Sequence, residues 1–371
     1  MNTEADPRKA GWLAAHEAAC EVGRERVQTA LVFASGHHAR EAELVAAGVS
    51  DALPNATVVA SGGADVMAEE RESDGESSLS VLVLTSQVTV HSASSSGAAR
   101  SIGERLGAQF GPSPGAGFLL FARGHVFDPE AVAGFHSQTQ SPHVIGGGTT
   151  SGSVLAVKRP GVDAETVSWL AVRFDGGVRL AVGVTPGIVR LTDYLLVERV
   201  EEGFVTQLGG RRPLELLSEA TGRRADRSLV LVSIAPRGSL HERSNHGLVR
   251  GVAGVHPVKG AVHLGPEVEV GDRVAFATPD AHAATEDFRS MVRAVDGALL
   301  GGVPLAGLYV GCGSRGSKLF AKPGADARLI RSALGDLPFA GMYSSFEIGP
   351  FDGLPRMHVY SGVLGILYSP S

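Results

Sequence analysis

Two stretches, ALVFASGHH at 30–38 and FLLFARGHV at 118–126, agree at Leu31/Leu119, Phe33/Phe121, Ala34/Ala122, Gly36/Gly124 and His37/His125. Each is followed by a helical pattern. Then, 23 positions after the shared leucine, Pro54 or Pro142 opens a second short apolar run that ends in glycines, ATVVASGG and HVIGGGTTSG. A looser third copy runs from GLYVGCGSRG (307–316) through the helical DARLIRSALGD to LPFAGMYSSFEIG, with Pro338 thirty positions after Leu308. The repeated unit is strand, glycine turn, helix, proline, strand, glycine turn. A βαβ-like unit of this kind places the loops after its strand ends on one edge of a sheet, where open α/β sheets bind ligands.

The repeats and the apolar runs between them predict an α/β fold, with α+β as the alternative. We read two tandem α/β domains with mixed sheets and internal strand–helix–strand repeats, over 28–210 and 211–371, behind an N-terminal helix or extension at 1–27. Runs such as VLVL and LVLV are apolar on both faces, which marks strands covered on both sides. Glycine, at 49 of 371 residues, is about twice its usual ~7% share and clusters at the ends of apolar runs, as tight turns require.

Charge narrows the function classes. Thirty-three basic and 39 acidic residues give a net charge of −6, which provides no electrostatic footprint for nucleic acid or an anionic membrane. The start MNTEADPRKAGW is not a secretory signal, no apolar run is long enough to span a bilayer, and two cysteines do not make a disulfide framework. A cytoplasmic location is expected. There is no GK[ST] after the 146–148 glycines, so a P-loop is not supported, and a dinucleotide fold is not expected.

The residues resemble the FIST family of sensory modules, which pairs FIST N and FIST C domains. The N-terminal resemblance rests on Leu31–Ser35, Ser61–Gly63 and Pro142–Gly148. The C-terminal one rests on GGRRPLELL (209–217), the 248–276 meander, GCGSRGSKLF (311–320) and LPFAGMYSSFEIGP (337–350). The resemblance implies a domain that binds a small ligand, an amino acid or related metabolite, and signals through a separate partner such as a kinase or cyclase. For some members it implies haem and nitric-oxide sensing. The compact FDGLPRMHVYSG departs from the family's longer segment before its last strand.

Within this frame the candidate ligand-binding residues are Arg315, Glu347, Cys312, Ser344, Ser345 and His358. Glu347 stands between Phe346 and Ile348 in a core-like run, where a carboxylate requires a partner. Arg315 is the expected one, either as a structural pair or as a fork for a ligand carboxylate, with Glu347 receiving an amine. Cys312, close in sequence to Arg315 and Lys318, reads either as an activated thiol or as a small residue at a tight strand end. A hydrolase-like alternative would take Cys312 or a serine as nucleophile, His358 as base and Glu347 as orienter. His37, His38 and His125, on equivalent turns, are candidate ligands for a metal or haem iron, or else solvated turn residues.

Overall fold

A computed structural model of the chain describes residues 4–124, 128–222, 229–239, 247–265 and 267–371. It contains two compact units. One comprises Met1–Val184, Arg289–Met357 and Gly362–Ser371, the other Thr185–Phe288 and His358–Ser361. The units do not follow a linear cut at 210/211, because the strands of 303–369 hydrogen-bond into the same sheets as strands from the first half of the chain. The N-terminal extension is a helix, Pro7–Ala18, started by Asp6, whose carboxylate accepts the Lys9 amide at 2.7 Å.

In the larger unit, each sequence repeat is a parallel strand pair. The lead strands are Thr29–Ala34, Phe118–Ala122 and Val303–Cys312; the return strands are Thr57–Gly62, Val144–Gly148 and Phe339–Ser344. Their registers set Leu31 opposite Val59, Leu119 opposite Ile145 and Leu308 opposite Ala340. A later strand of each repeat lies antiparallel against its own lead strand: Leu79–Leu84, Trp169–Phe174 and Gly362–Ser369.

Between return strand and flanking strand, each repeat sends one strand to a different repeat. Val66–Ala68 of the first pairs with the return strand of the third, Leu155–Lys158 of the second with that of the first, and Glu347–Phe351 of the third with that of the second. The exchange closes a ring, and equivalent amides tie it. Ala64 donates to the Tyr343 carbonyl at 2.7 Å, Ser345 to Gly148 at 3.0 Å and Thr150 to Gly62 at 3.3 Å. In return, Tyr343 donates to Asp65, Gly148 to Phe346 and Gly62 to Val154. No repeat completes its sheet alone.

Strand alternation explains the layers. Leu31 and Phe33, Leu119 and Phe121, and Leu308 and Val310 face one core shared by the three repeats, while Ala30, Val32 and Ala34 face the helices of the first repeat. Phe33 and Phe121, the same position in two repeats, meet edge-on with ring centroids 6.2 Å apart. Helices cover the outside. Pro7–Ala18 packs on Ala42–Ala52, and Ala99–Ala108 on Pro129–Thr139. Both pairs require glycine: a Cβ on Gly48 would sit 1.8 Å from the Arg8 carbonyl oxygen, and one on Gly103 would sit 1.9 Å from that of Ala131.

The smaller unit is built on an antiparallel eight-stranded sheet with the helix Pro213–Gly222. Ile188, Leu231, Val249 and Ala277 form a small core within it, joined by Tyr360. Among the described residues there are four mixed or antiparallel sheets and nine helices, an α/β architecture in which parallel pairing carries the repeats.

Candidate functional site

The turn after the third lead strand carries a buried ion pair. Gly316, at φ +57°, brings the chain so close over the Tyr343 ring that an added Cβ would lie 3.1 Å from it. Arg315 is thereby turned inward, its side chain 1% exposed, and Nε and Nη2 donate to Asp326 Oδ2 and Oδ1 at 3.0 and 2.9 Å. The Tyr343 hydroxyl donates to Asp326 Oδ2 at 3.2 Å. Burial opposes the charge on Arg315, but Asp326 and the neighbouring tyrosine hydroxyls outweigh it and hold the guanidinium well above its ordinary pKa. Burial raises the Tyr309 and Tyr343 phenols well above theirs.

Asp326 lies in the first turn of the helix Ala325–Leu334, whose N-cap is Gly324, a residue with no capping side chain. Glu72, from the first repeat, supplies the missing cap: Oε2 accepts the Gly324 amide at 3.0 Å and Oε1 the Ala327 amide at 2.9 Å. Desolvation raises the Glu72 carboxyl above its ordinary value, and it does the same at Asp65.

A hollow opens where these first-repeat and third-repeat segments meet. Asp65, Glu72, Ser73 and Asp74 line one side, and Arg315, Ser317, Lys318 and Tyr343 are on the other. Its room, about 20 Å³, is on the scale of one water. The smaller unit carries a wider, open depression of about 600 Å³ beside Arg190, Asp193, Glu286 and Asp287. That depression is lined by none of the sequence candidates, and an open surface does little to desolvate a ligand.

The candidates from sequence separate. Arg315 lines the hollow, but its carboxylate partner is Asp326, which corrects the expected Arg315–Glu347 pair: the tight turn at Gly316 aims the guanidinium at the helix start. Glu347 is fully buried, and the Ser344 hydroxyl, 3.2 Å from its Oε1 and 3.0 Å from the Gly311 carbonyl, shares one proton between them. Cys312 is buried and its sulfur accepts the Ser314 hydroxyl at 3.1 Å. Ser345 is exposed and serves the ring through its amide. His358 is buried at the end of the strand Leu354–His358, in the smaller unit.

His37 is exposed and His38 fully buried on the short helix Gly36–Arg40. In the repeat alignment His38 occupies the position of Arg315. His125 lies outside the described residues. Among the described residues, no three His, Cys, Asp or Glu side chains group closely enough to hold a metal, and no helix is long and apolar enough to cross a membrane. Sequence reasoning missed Asp326, Glu72 and Asp65. The acid following an uncapped glycine at 324 was the available signal for Asp326; no local pattern marks the other two.

The larger unit is a cyclic α/β unit with a buried arginine at a strand-end turn, and sequence comparison gives the family. The chain matches the FIST N domain over residues 28–211 and the FIST C domain over 196–350, and it belongs to the FIST family of sensory domains. It is 31% identical over 230 residues to the uncharacterized protein Rv0628c of Mycobacterium tuberculosis, a match covering 60% of this chain and 59% of that relative. It is 29% identical over 170 residues to the uncharacterized protein Mb0898c of Mycobacterium bovis, 44% of each chain. The chain thus matches about three-fifths or less of the length of these relatives.

Proposed function

We propose that the protein is a small-ligand-binding sensory module that recognises an amino acid or related small metabolite at the hollow between the first-repeat and third-repeat segments, and signals through a separate protein such as a kinase or cyclase. The observation that supports this reading is Arg315: a buried guanidinium that lines the hollow and keeps one nitrogen, Nη1, without a hydrogen-bond partner among the described residues. Burying a donor in this state is costly, and a ligand acceptor relieves the cost. Because the hollow is small, ligand entry must displace one of its walls. The walls are the 65–75 hairpin and the 313–324 turn, which Glu72 ties together, so occupancy is coupled to a change in conformation. Two of the nucleophile candidates of the hydrolase-like alternative are engaged at the strand ends, Cys312 with Ser314 and Ser344 with Gly311 and Glu347.

The test is a thermal-shift screen of free amino acids and small metabolites against the full chain. A compound that raises Tm in the wild type but not in Asp65→Asn, with circular dichroism unchanged, supports the site. A shift that survives in that variant and in Arg315→Ala places the ligand elsewhere.

A further inference from the structure

Taking the hollow as the ligand site, we propose that it selects the uncharged end of its ligand, a group that both donates and accepts hydrogen bonds, of which a primary carboxamide is the simplest, over a carboxylate or an ammonium.

The polar groups lining the hollow leave donors over, on Arg315 and Lys318, and acceptors over, on Asp65 and Asp74. On the donor side, Asp326 takes two nitrogens of the Arg315 fork, leaving Nη1. Lys318 Nζ donates to the Gly313 carbonyl at 2.7 Å. Among the acceptors, Glu72 uses both oxygens on the helix start. Asp74 Oδ1 accepts the Ser317 hydroxyl at 3.3 Å. Asp65 Oδ1 accepts the Ser73 hydroxyl at 2.9 Å and the Gly75 amide at 2.8 Å, which leaves Oδ2 available.

Charge then separates the ligand classes. Asp326 already neutralises Arg315, so the remaining lining charges are Asp65, Glu72 and Asp74 against Lys318. A carboxylate would add a fourth anion to these walls and offer Asp65 no hydrogen. An ammonium would suit the acids but bring only N–H groups to a guanidinium N–H. A carboxamide has a carbonyl for a leftover N–H such as that of Arg315 Nη1 and an N–H for a leftover oxygen such as Asp65 Oδ2, with no net charge to desolvate. Burial already lifts the Asp65 and Glu72 carboxyls above their ordinary values, the mark of surroundings that resist further negative charge. With room on the scale of one water, the hollow takes one terminal group at most, and takes it as a wall moves.

Three probes of equal length separate these cases: propionamide, propionate and propylammonium, titrated into the full chain at neutral pH and followed by isothermal calorimetry or protein NMR shifts. Propionamide is expected to bind on the order of tenfold more tightly than either charged probe, the scale of one unfavourable charge contact. Asp74→Asn, at an exposed position on the rim, should narrow the gap between propionamide and propionate several-fold. Equal or tighter binding of either charged probe at the hollow overturns the selectivity while leaving the hollow as a ligand site. An absence of response to all three removes the hollow as the ligand site, and the functional reading with it.

Discussion

Arg315 and Asp326 form a two-point ion pair at 3.0 and 2.9 Å with side-chain exposures of 1% and 0%. An ion pair this dry contributes little over a well-packed apolar pair, but losing one partner strands the other charge. Asp326→Asn is therefore expected to destabilise the larger unit by about 3–5 kcal/mol, while the double change Arg315→Met with Asp326→Leu costs less than the single one. Urea unfolding followed by tryptophan fluorescence measures this, because both tryptophans, Trp12 and Trp169, lie in that unit.

Much of the larger unit was legible in the sequence because its repeats keep residues with the same physical task at the same offset. Leu31, Leu119 and Leu308 share the core, and Pro54, Pro142 and Pro338 precede the return strands. The exchange of strands was not legible: Val66–Ala68 and Glu347–Phe351 carry no local mark of which return strand they will join. The same limit applies at the site. Arg315 stood out as a cation in a glycine turn, yet its partner is chosen by the turn at Gly316 and the start of a helix eleven residues on, and Glu72 reaches that helix from 252 positions away.

The helix pairs give a prediction whose sign runs against helix propensity. Replacing glycine by alanine inside an exposed helix stabilises by about 0.5–1 kcal/mol. Gly297, with nothing within 4 Å of an added Cβ, should behave in this way. Gly48→Ala and Gly103→Ala should instead destabilise, by about 1–3 kcal/mol or more, because the new methyl would meet backbone carbonyls of Arg8 and Ala131. Thermal melts of the three variants against the wild type decide it: Gly297→Ala up, the other two down.

Glu72 predicts a pH dependence. Burial raises its carboxyl above the ordinary value, and the nearby Asp326 charge adds to this, so between the unfolded value, about 4.3, and the raised native one the folded state binds more protons than the unfolded. Stability from this group is then fully present below that window and is lost as pH rises through it, with a slope of at most about 1.4 kcal/mol per pH unit. Glu72→Gln removes the titration. The stability of the wild type relative to Glu72→Gln should fall as pH rises through the window; a difference that is flat or rises with pH contradicts the assignment.

The two thiols should behave oppositely. Cys20 is exposed just beyond the first helix, while Cys312 is buried at the third strand end with its sulfur accepting the Ser314 hydroxyl at 3.1 Å. Thiolate reactivity requires access as well as a favourable charge environment. Access to Cys312 requires the third lead strand and its turn to open, an event of the same class as unfolding of the core around it. A disulfide reagent added to native protein at neutral pH is expected to modify one thiol rapidly, lost in Cys20→Ser, and the second only in denaturant. Rapid labelling of Cys312 in the native Cys20→Ser variant would mean that the 313–316 turn opens readily, and a ligand raising its protection would report closure of the same turn.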